Sequence, residues 1–332
     1  MHAPVAEPLT ISVALCTYNG AAYLDAQLDS LLGQQRRPDE IVIADDGSAD
    51  DTRARLRAFR ARAAQRGVEV VLIENAANLG YVRNFEQALA AARGALQFPC
   101  DQDDVWRADK LARMAAEFER RPDLLLLHSD ARLVDAQGHA TGMTLFRALE
   151  ARRAELDALH AGRGFDVLLR RNLVTGATVA LRRELLAAAR PFPPELVHDE
   201  WLALIAAATG TVDAIEDTLI DYRQHGGNQI GIRRRGLADK FEDLRRLRPE
   251  TLHGLAARMD LLGTRLQGLG ARVPDACLAG ARDKARHMRL RAALPPRGFA
   301  RIGTVLREAR GGAYGRYSNG LRSMLRDLLR GD

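Results

Sequence analysis

The chain has 332 residues, 47% of them hydrophobic, which is enough for one large domain or one domain with an appendage. No run approaches the roughly 18 apolar residues of a membrane span. Residues 1–10 lack the features of a secretory signal, so we expect a cytoplasmic protein. Cys16, Cys100 and Cys277 are isolated, which argues for a reducing compartment and against a zinc cluster.

The net charge of +6 is unevenly distributed along the chain. Residues 232–332 hold 23 Lys and Arg against 10 Asp and Glu, whereas residues 1–231 hold 26 against 33. A basic segment of this kind is typical of a surface for nucleic acid or an anionic membrane, and a solvated helical surface is the plain alternative.

Short apolar segments alternate with amphipathic helices through the first 130 residues. The pattern predicts strands at 11–16, 40–44, 68–73, 96–100 and 124–127. Between the first two strands, Leu24, Leu28 and Leu31 recur on one helix face. Alternation with short loops predicts an α/β fold with a mainly parallel sheet covered by helices on both faces.

Beyond residue 130 the pattern loosens. We predict strands at 174–181 and 211–222, a helix that opens at His198, and helices from residue 233 onward. One late helix has Leu252, Leu255, Met259, Leu262 and Leu266 on one side. The last has Leu321, Met324, Leu325, Leu328 and Leu329, with Arg322, Arg326 and Arg330 beside them.

The most informative segment is the strand at 96–100 and the loop that follows it. Asp101, Asp103 and Asp104 come directly after the apolar residues, and Mg²⁺ and Mn²⁺ favour such oxygen ligands. A solvated acidic loop is the alternative reading. Asn19 and the pair Asp45–Asp46 also follow strands, and ligands of open α/β sheets bind beyond the carboxyl ends of the strands. We therefore expect these side chains to face one crevice.

Several common enzyme signatures are absent from the sequence. It has no GxGxxG and no GxxxxGK[ST] phosphate loop, no GxSxG nucleophile elbow, and no HExxH among its eight histidines. These absences leave an α/β crevice rich in carboxylates.

An ordered set of motifs resembles the family 2 glycosyltransferases of the GT-A fold. The motifs are Leu15-Cys16-Thr17-Tyr18-Asn19-Gly20, Asp45-Asp46-Gly47-Ser48, Asn78-Leu79-Gly80 and Cys100-Asp101-Gln102-Asp103-Asp104. Two more, His198-Asp199-Glu200-Trp201 and Tyr222-Arg223-Gln224-His225, resemble the rhamnosyltransferases of bacterial surface polysaccharides. The resemblance covers about residues 10–230 and also reaches 314–329.

The resemblance implies a role for each matching residue. The nucleotide sugar would be bound by Thr17, Asn19, Asp45, Asp46, Asn78, Gly80, Arg83, Asp101 and Gln102. Mg²⁺ or Mn²⁺ would be held by Asp101, Asp103 and His225, with Asp104 near the sugar or the metal. Arg223 is a further candidate for the diphosphate. A structural role for His225 and a solvated role for Arg83 are the alternatives.

Asp199 is the predicted catalytic base, which would accept the proton of the acceptor hydroxyl as that oxygen attacks the anomeric carbon. Its alternative role is to cap the helix that follows, and both roles are compatible. The familiar motif often has Trp after this Asp, whereas this chain has Glu200, which could compete for the role or raise the pKa of Asp199. Trp106 and Trp201 are candidates for stacking on a sugar or for core packing.

The sequence thus predicts an inverting, metal-dependent glycosyltransferase in which residues 1–232 form the catalytic domain and 233–332 a basic helical region. The implied donor is dTDP-rhamnose and the acceptor a lipid-linked or growing polysaccharide. A UDP-hexose or UDP-N-acetylhexosamine donor is the first alternative.

A nucleotidyltransferase or phosphohydrolase is less favoured because residues 17–22 contain no Lys or Arg. Binding of nucleic acid is disfavoured because residues 233–332 have few aromatic residues. We expect the basic region to contact the inner face of the plasma membrane, while packing on the catalytic domain or in a homodimer stays open.

Overall fold

The computed structural model describes residues 8–226, 249–295 and 298–329. The chain divides into two compact units, Met1–Gly162 with Leu173–Ile232 and Arg163–Asn172 with Arg233–Asp332. The sequence places the boundary at residue 232, and the structure adds Arg163–Asn172 to the second unit. Among the described helices, none combines the length and apolar character needed to cross a bilayer.

The first unit is built on a sheet that has nine strands within the described residues. In chain order these are β1 (Ile11–Thr17), β2 (Glu40–Asp45), β3 (Glu69–Glu74), β4 (Leu96–Cys100), β5 (Val105–Trp106), β6 (Leu124–Val134), β7 (Ala140–Thr144), β8 (Val179–Arg182) and β9 (Thr211–Arg223). Their order across the sheet is β3-β2-β1-β4-β8-β6-β9-β5, and β7 pairs with β6.

The sheet is parallel in one half and mixed in the other. β1 pairs in parallel with β2 and β4, and β2 with β3. β8 runs antiparallel to β4 and β6, and β5 to β9, whereas β6 and β9 are parallel. The predicted α/β fold is confirmed, and the first four strands across the sheet, β3, β2, β1 and β4, are all parallel and joined by helices.

The helices are numbered through both units. They are α1 (Leu24–Leu32), α2 (Thr52–Ala64), α3 (Tyr81–Ala91), α4 (Lys110–Arg120), α5 (Leu145–Ala148), α6 (Arg153–His160), α7 (Gly164–Arg170), α8 (Leu185–Ala189), α9 (His198–Thr209), α10 (Pro249–Gly268), α11 (Asp275–Ala292), α12 (Gly298–Arg310), α13 (Ala313–Tyr317) and α14 (Leu321–Leu329). Helices α7 and α10–α14 belong to the second unit.

Strand β1 lies at the centre of the parallel half and is buried along its whole length. The predicted inner face of α1 is buried too, with Leu24, Leu28 and Leu31 almost fully excluded from solvent. From β1, the chain adds β2 and β3 on one side and β4 on the other, so the strand order switches between β1 and β4. Open α/β sheets bind ligands at such a switch point. The packed core therefore fixes the backbone from which the loops after β1, β2 and β4 begin.

The predicted strand at 174–181 is wrong in its first half. Residues Gly176–Thr178 form a 3₁₀ turn, and β8 begins only at Val179. The physical reason is that the Gly176 amide donates to the Asp199 carboxylate at 2.8 Å and is not part of a strand ladder.

The second unit is helical in its described parts, and α10 packs along α11. The predicted inner face of α10 is buried at Leu252, Met259, Leu262 and Leu266, while Leu255 is half-buried. The predicted helical segment at 233–248 lies outside the described residues.

A buried ion pair connects α11 to α14 within this unit. Arg291 donates to Asp327 at 2.6 and 3.2 Å and to the Ser318 hydroxyl at 2.8 Å. The Tyr314 hydroxyl donates to the same carboxylate at 2.7 Å. Because both charged side chains are buried, each depends on the other for its electrostatic partner.

We predict that Arg291→Met lowers the free energy of unfolding by about 3–5 kcal/mol, because it leaves the Asp327 charge buried without its cation. The matched control is Arg289→Met, which removes an ion pair with Asp260 whose two side chains are about half exposed. That loss is expected to be below about 1 kcal/mol. Urea unfolding of both variants measures the difference, and equal losses would contradict the prediction.

Candidate active site

The loops that follow β1, β2 and β4 lie against one another, as the strand-end argument predicts. The Tyr18 amide donates to the Gln102 side chain at 2.8 Å, and that side chain donates back to the Tyr18 carbonyl at 3.0 Å. On the other side, the Asn19 amide donates to the Ser48 hydroxyl at 2.9 Å, and the Ala49 amide donates to Asn19 at 2.8 Å. The first loop is thus hydrogen-bonded to both of its neighbours.

Asp45 is buried at the end of β2 and all its contacts are internal. Its carboxylate accepts from Arg53 at 2.7 Å, from the Thr17 hydroxyl at 3.0 Å, and from both the amide and the hydroxyl of Ser48. Burial alone would raise the pKa of Asp45, but the hydrogen bonds from Ser48 and Arg53 bring the pKa below its usual value. Asp45 therefore stabilises the loop after β2 and joins it to Thr17 at the end of β1.

Asp46 holds the loop that opens α3. Its carboxylate accepts from the amides of Leu79 at 2.8 Å and Gly80 at 3.0 Å, and from the Asn75 side chain at 3.2 Å. The Asn78 side chain also accepts from the Gly80 amide, at 2.9 Å. Gly80 has φ +85°, a conformation that favours glycine, so the loop turns sharply into the helix.

The two predicted arginine contacts differ in their surroundings. Arg83 lies on α3 with its side chain about half exposed and pairs with Glu86 at 3.3 Å. Arg223 is buried, and its guanidinium donates to the carbonyls of Asp103 at 2.7 Å and Ala136 at 3.0 Å. Arg223 therefore holds the backbone of the loop at residues 101–104, which we call the acidic loop.

Asp103 of the acidic loop contacts His225, which follows β9. The ring Nε2 of His225 lies 2.7 Å from a carboxylate oxygen of Asp103, and both side chains are largely buried. The His225 ring also stacks on Tyr23, with centroids 4.5 Å apart. The predicted metal ligands Asp103 and His225 are thus adjacent.

Asp101 is repelled electrostatically by Asp103 and Asp199, and Asp104 by Asp103 and Asp101. Burial, followed by the charges of Asp103 and Asp199, raises the pKa of Asp101 to about 7. Burial also raises the pKa of Asp104, which accepts from the Arg223 amide at 3.0 Å while its second oxygen is buried without a hydrogen-bond partner. Asp104 is therefore fully buried, whereas the resemblance implies a position near the sugar or the metal.

Tyr222 and Lys110 border this cluster and were not predicted as site residues. Burial, then Asp104 and Asp101, raises the pKa of Tyr222. Lys110 is fully buried, lies 3.8 Å from the centroid of the Trp106 ring, and donates to the Ala177 carbonyl at 2.7 Å. Burial lowers the pKa of Lys110 to about 8.

A compositional signal could have identified Lys110. The chain has 46 arginines and only three lysines, Lys110, Lys240 and Lys284. The two that lie in the described residues are both buried and donate to backbone carbonyls. In so arginine-rich a chain, a lysine marks a place where a compact cation is needed.

Asp199 is the second residue of α9, whose cap position is Val197, and it is buried. It accepts from the Gly176 amide at 2.8 Å and from the amide of Glu200. Burial nevertheless raises the pKa of Asp199 to about 7. A carboxylate with a pKa in this range can both accept and release a proton near neutral pH.

Gly176 and His198 pack tightly beside Asp199. A Cβ added at Gly176 would lie 2.7 Å from Nε2 of His198. The His198 ring stacks on Phe85 with centroids 4.0 Å apart, and both ring nitrogens are buried without a hydrogen-bond partner. Burial lowers the pKa of His198 to about 3, so the ring is neutral at physiological pH.

Both tryptophans are core residues. Trp106 and Trp201 are each 3% exposed, and the Trp201 ring nitrogen donates to the Ala189 carbonyl at 2.7 Å. Of the two roles that the sequence left open, the structure therefore supports core packing and not stacking on a sugar.

The donor set fits a divalent cation that is shared with a ligand. In the described part of the chain, no three His, Cys, Asp or Glu side chains converge as a complete metal site. Mg²⁺ is usually bound by one or two carboxylates together with substrate phosphates, so a full protein cage is not required. Burial and then repulsion from Asp103 and Asp199 raise the pKa of Asp101, and a bound cation would offset that repulsion.

We predict that Asp199→Asn stabilises the fold increasingly as the pH rises. The pKa of Asp199 is about 7 in the folded chain and about 3.9 in an unfolded one, so the wild type loses stability between these values as pH increases. The D199N side chain does not ionise. Between about pH 5 and pH 8 the stability difference should grow by on the order of 2 kcal/mol. Urea unfolding against the exposed control Asp29→Asn measures it, and a constant difference would refute the raised pKa.

Comparison with known proteins finds a family model that matches the first part of the chain. The family model described as glycosyl transferase family 2 matches residues 12–171. An uncharacterized protein of Mycobacterium tuberculosis is 26% identical over 76% of this chain and 67% of its own length. An uncharacterized glycosyltransferase of Nostoc is 28% identical over 66% of each chain. TuaG of Bacillus subtilis, described as a candidate teichuronic acid biosynthesis glycosyltransferase, is 32% identical over 31% of this chain and 39% of its own.

Two solved structures share the fold. S. aureus TarS in complex with UDP-GlcNAc has a TM-score of 0.59 at 17% identity, over 96% of this chain and 90% of that one. The Pyrobaculum calidifontis mannosyltransferase in complex with GDP-Man and Mn²⁺ has a TM-score of 0.52 at 17% identity, over 97% and 86%. Residues 12–171 thus match glycosyltransferase family 2, and the chain has the GT-A fold.

Proposed function

We propose that this enzyme transfers a sugar, with inversion, from a nucleoside-diphospho-sugar to a hydroxyl group of a glycan, and that Asp199 is the general base. The observation that carries the proposal is the environment of Asp199. It is a buried carboxylate, held by the Gly176 amide, with a pKa of about 7 and close enough to Asp101 to raise the pKa of that residue as well.

In the proposed reaction, Asp199 accepts the proton of the acceptor hydroxyl while that oxygen attacks the anomeric carbon. The bond from the anomeric carbon to the diphosphate breaks as the new glycosidic bond forms, so a single displacement inverts the anomeric centre. The Gly176 amide holds the carboxylate in one orientation, and its raised pKa makes it a stronger base than an exposed aspartate.

Asp101 and Asp103, with His225 beside Asp103, are the residues proposed to hold Mg²⁺ or Mn²⁺. When bound, the cation supplies Lewis-acid stabilisation of the negative charge on the leaving diphosphate. The mannosyltransferase that shares the fold is described in complex with Mn²⁺, which supports this cation class. Arg223 contributes by fixing the Asp103 carbonyl, and so the course of the loop.

The nucleotide is proposed to lie along the loops after β1 and β2. Asp45 has four internal hydrogen bonds, so we propose that it acts by holding Thr17 and Ser48 in place. Asp46 has three partners and retains acceptor capacity for a ribose hydroxyl or a base N–H. The Asn19 side chain accepts from the Ala49 amide and so joins the loops after β1 and β2. The Gln102 side chain joins the loop after β1 to the loop after β4.

The donor that we propose is dTDP-rhamnose, on the resemblance of the motifs at 198–201 and 222–225 to surface-polysaccharide rhamnosyltransferases. A UDP-hexose or UDP-N-acetylhexosamine is the competing donor, and TarS, which shares the fold, is described with UDP-GlcNAc. The proposed acceptor is a lipid-linked or growing polysaccharide, and the described role of TuaG supports this class. A thermal-shift panel of nucleotide sugars with and without Mn²⁺ separates the donors, because a ligand that binds only the folded state raises its stability.

We predict that Asp103→Asn abolishes the Mn²⁺-dependent part of the thermal shift given by the nucleoside diphosphate. At about 100 times its Kd, such a ligand stabilises the wild type by about 2.7 kcal/mol. The exposed control Asp29→Asn, on α1, should keep the full effect. A D103N variant that still shows the wild-type Mn²⁺ dependence would remove Asp103 from the metal site.

We predict that Asp199→Asn keeps donor binding but lowers kcat on the order of 10²–10⁴-fold, the usual contribution of a general base. The neighbouring variant Glu200→Gln is the matched control and should retain most of its activity. Single-turnover transfer with donor in excess measures both, and anomeric NMR of the product tests inversion. If E200Q loses turnover and D199N does not, the base is Glu200.

A further inference from the structure

Helices α12 and α14 expose most of the large apolar side chains that the described surface carries. On α12 these are Phe299, Ile302 and Leu306, and on α14 they are Leu321, Leu325 and Leu329. We call these six residues the apolar rows. The rest of the described chain exposes only Tyr18, Leu79 and Leu261 in this way. The spacings i, i+3, i+7 and i, i+4, i+8 align each row along one side of its helix.

The apolar rows are separate from the core of their own unit. Helices α12 and α14 pack against each other through Val305, Met324 and Leu328, which share one small cluster with Tyr314. Phe299 is 91% exposed and Leu321 68%, so neither contributes to that cluster. Folding of this unit therefore does not account for the apolar rows.

The exposed charged side chains beside the apolar rows are all positive. Between Phe299 and Leu329 the sequence contains only two acids, Glu308 and Asp327. Both are buried, Glu308 against His287 at 2.8 Å and Asp327 against Arg291 at 2.6 Å. Of the basic residues in this segment, Arg307, Arg310 and Arg316 are exposed, and Arg322 and Arg326 are half-buried. The internal ion pairs thus leave a surface that is apolar and positive.

We propose that the apolar rows and the arginines beside them form a docking surface for an anionic lipid membrane. Leucine, isoleucine and phenylalanine side chains would enter the boundary between headgroups and acyl chains, and the arginines would contact lipid phosphates. A second copy of this chain fits less well, because two like-charged surfaces would face each other. Docking needs no nucleotide sugar, so it can fail or succeed independently of the proposed function.

The test is flotation of the full-length chain with vesicles of phosphatidylcholine alone or with about 30% phosphatidylglycerol. We expect recovery with the anionic vesicles only. Raising the salt from about 0.1 M to about 1 M shortens the Debye length from about 10 Å to about 3 Å and should reduce recovery.

Two variants and two matched controls locate the surface. The double variant Leu321→Ser with Leu325→Ser should weaken vesicle binding by roughly tenfold or more. Arg307→Gln with Arg310→Gln should do the same at low salt, since each arginine near an anionic surface is worth roughly fivefold. Leu261→Ser and Arg272→Gln alter exposed residues of the same unit outside this segment and should bind as the wild type does. Thermal unfolding checks that all four retain the fold.

Three results would overturn the proposal. Equal recovery on neutral and anionic vesicles would remove the electrostatic part, and absence of flotation on both would remove the surface altogether. Wild-type binding by both double variants would locate the contact elsewhere in the chain. If sedimentation shows a dimer that the leucine variant loses, without vesicle binding by the wild type, the apolar rows belong to a contact between two copies.

Discussion

The short turn at Gly176–Thr178 is held from two sides, and the arrangement of the candidate active site depends on it. On one side, Lys110 donates to the Ala177 carbonyl while lying over Trp106 of β5, the strand that follows the acidic loop. On the other side, the Gly176 amide donates to Asp199. One buried turn therefore connects the loop of the proposed metal ligands to the proposed base. A Cβ at position 176 would press on His198, so the close approach requires glycine.

This arrangement concentrates negative charge where little water can reach it. Asp101 and Asp199 each have a pKa of about 7 because burial disfavours their ionised forms, and Asp103 adds repulsion at Asp101. Lys110 partly offsets the charge on Asp101 and Asp104, at the cost of its own hydration. Such a cluster lowers the stability of the fold, which is the usual consequence of keeping a site ready for a charged ligand and a proton transfer.

The sequence was informative where contacts are local or periodic. Alternation of short apolar segments with helices was enough to predict the parallel half of the sheet. The strand-end rule was enough to predict that the loops after β1, β2 and β4 lie against one another. It was not informative where a contact joins distant segments. Nothing near Gly176 indicates that its amide binds a carboxylate 23 positions away, so residues 174–178 were predicted as strand. The burial of Asp104, which accepts from the Arg223 amide, also depends on a contact between distant segments and was not predicted.

A comparison of the buried side chains of Lys110 and Arg291 shows why lysine and arginine suit different sites in this chain. A buried lysine has three donors on one compact group and can be satisfied by a single carbonyl and an aromatic face, as at Lys110. Arginine has five donors in a planar fork and needs several acceptors when buried. Arg291 has them in Asp327 and Ser318. At Lys110 a guanidinium would bury donors without partners, which explains why a chain with 46 arginines has a lysine there.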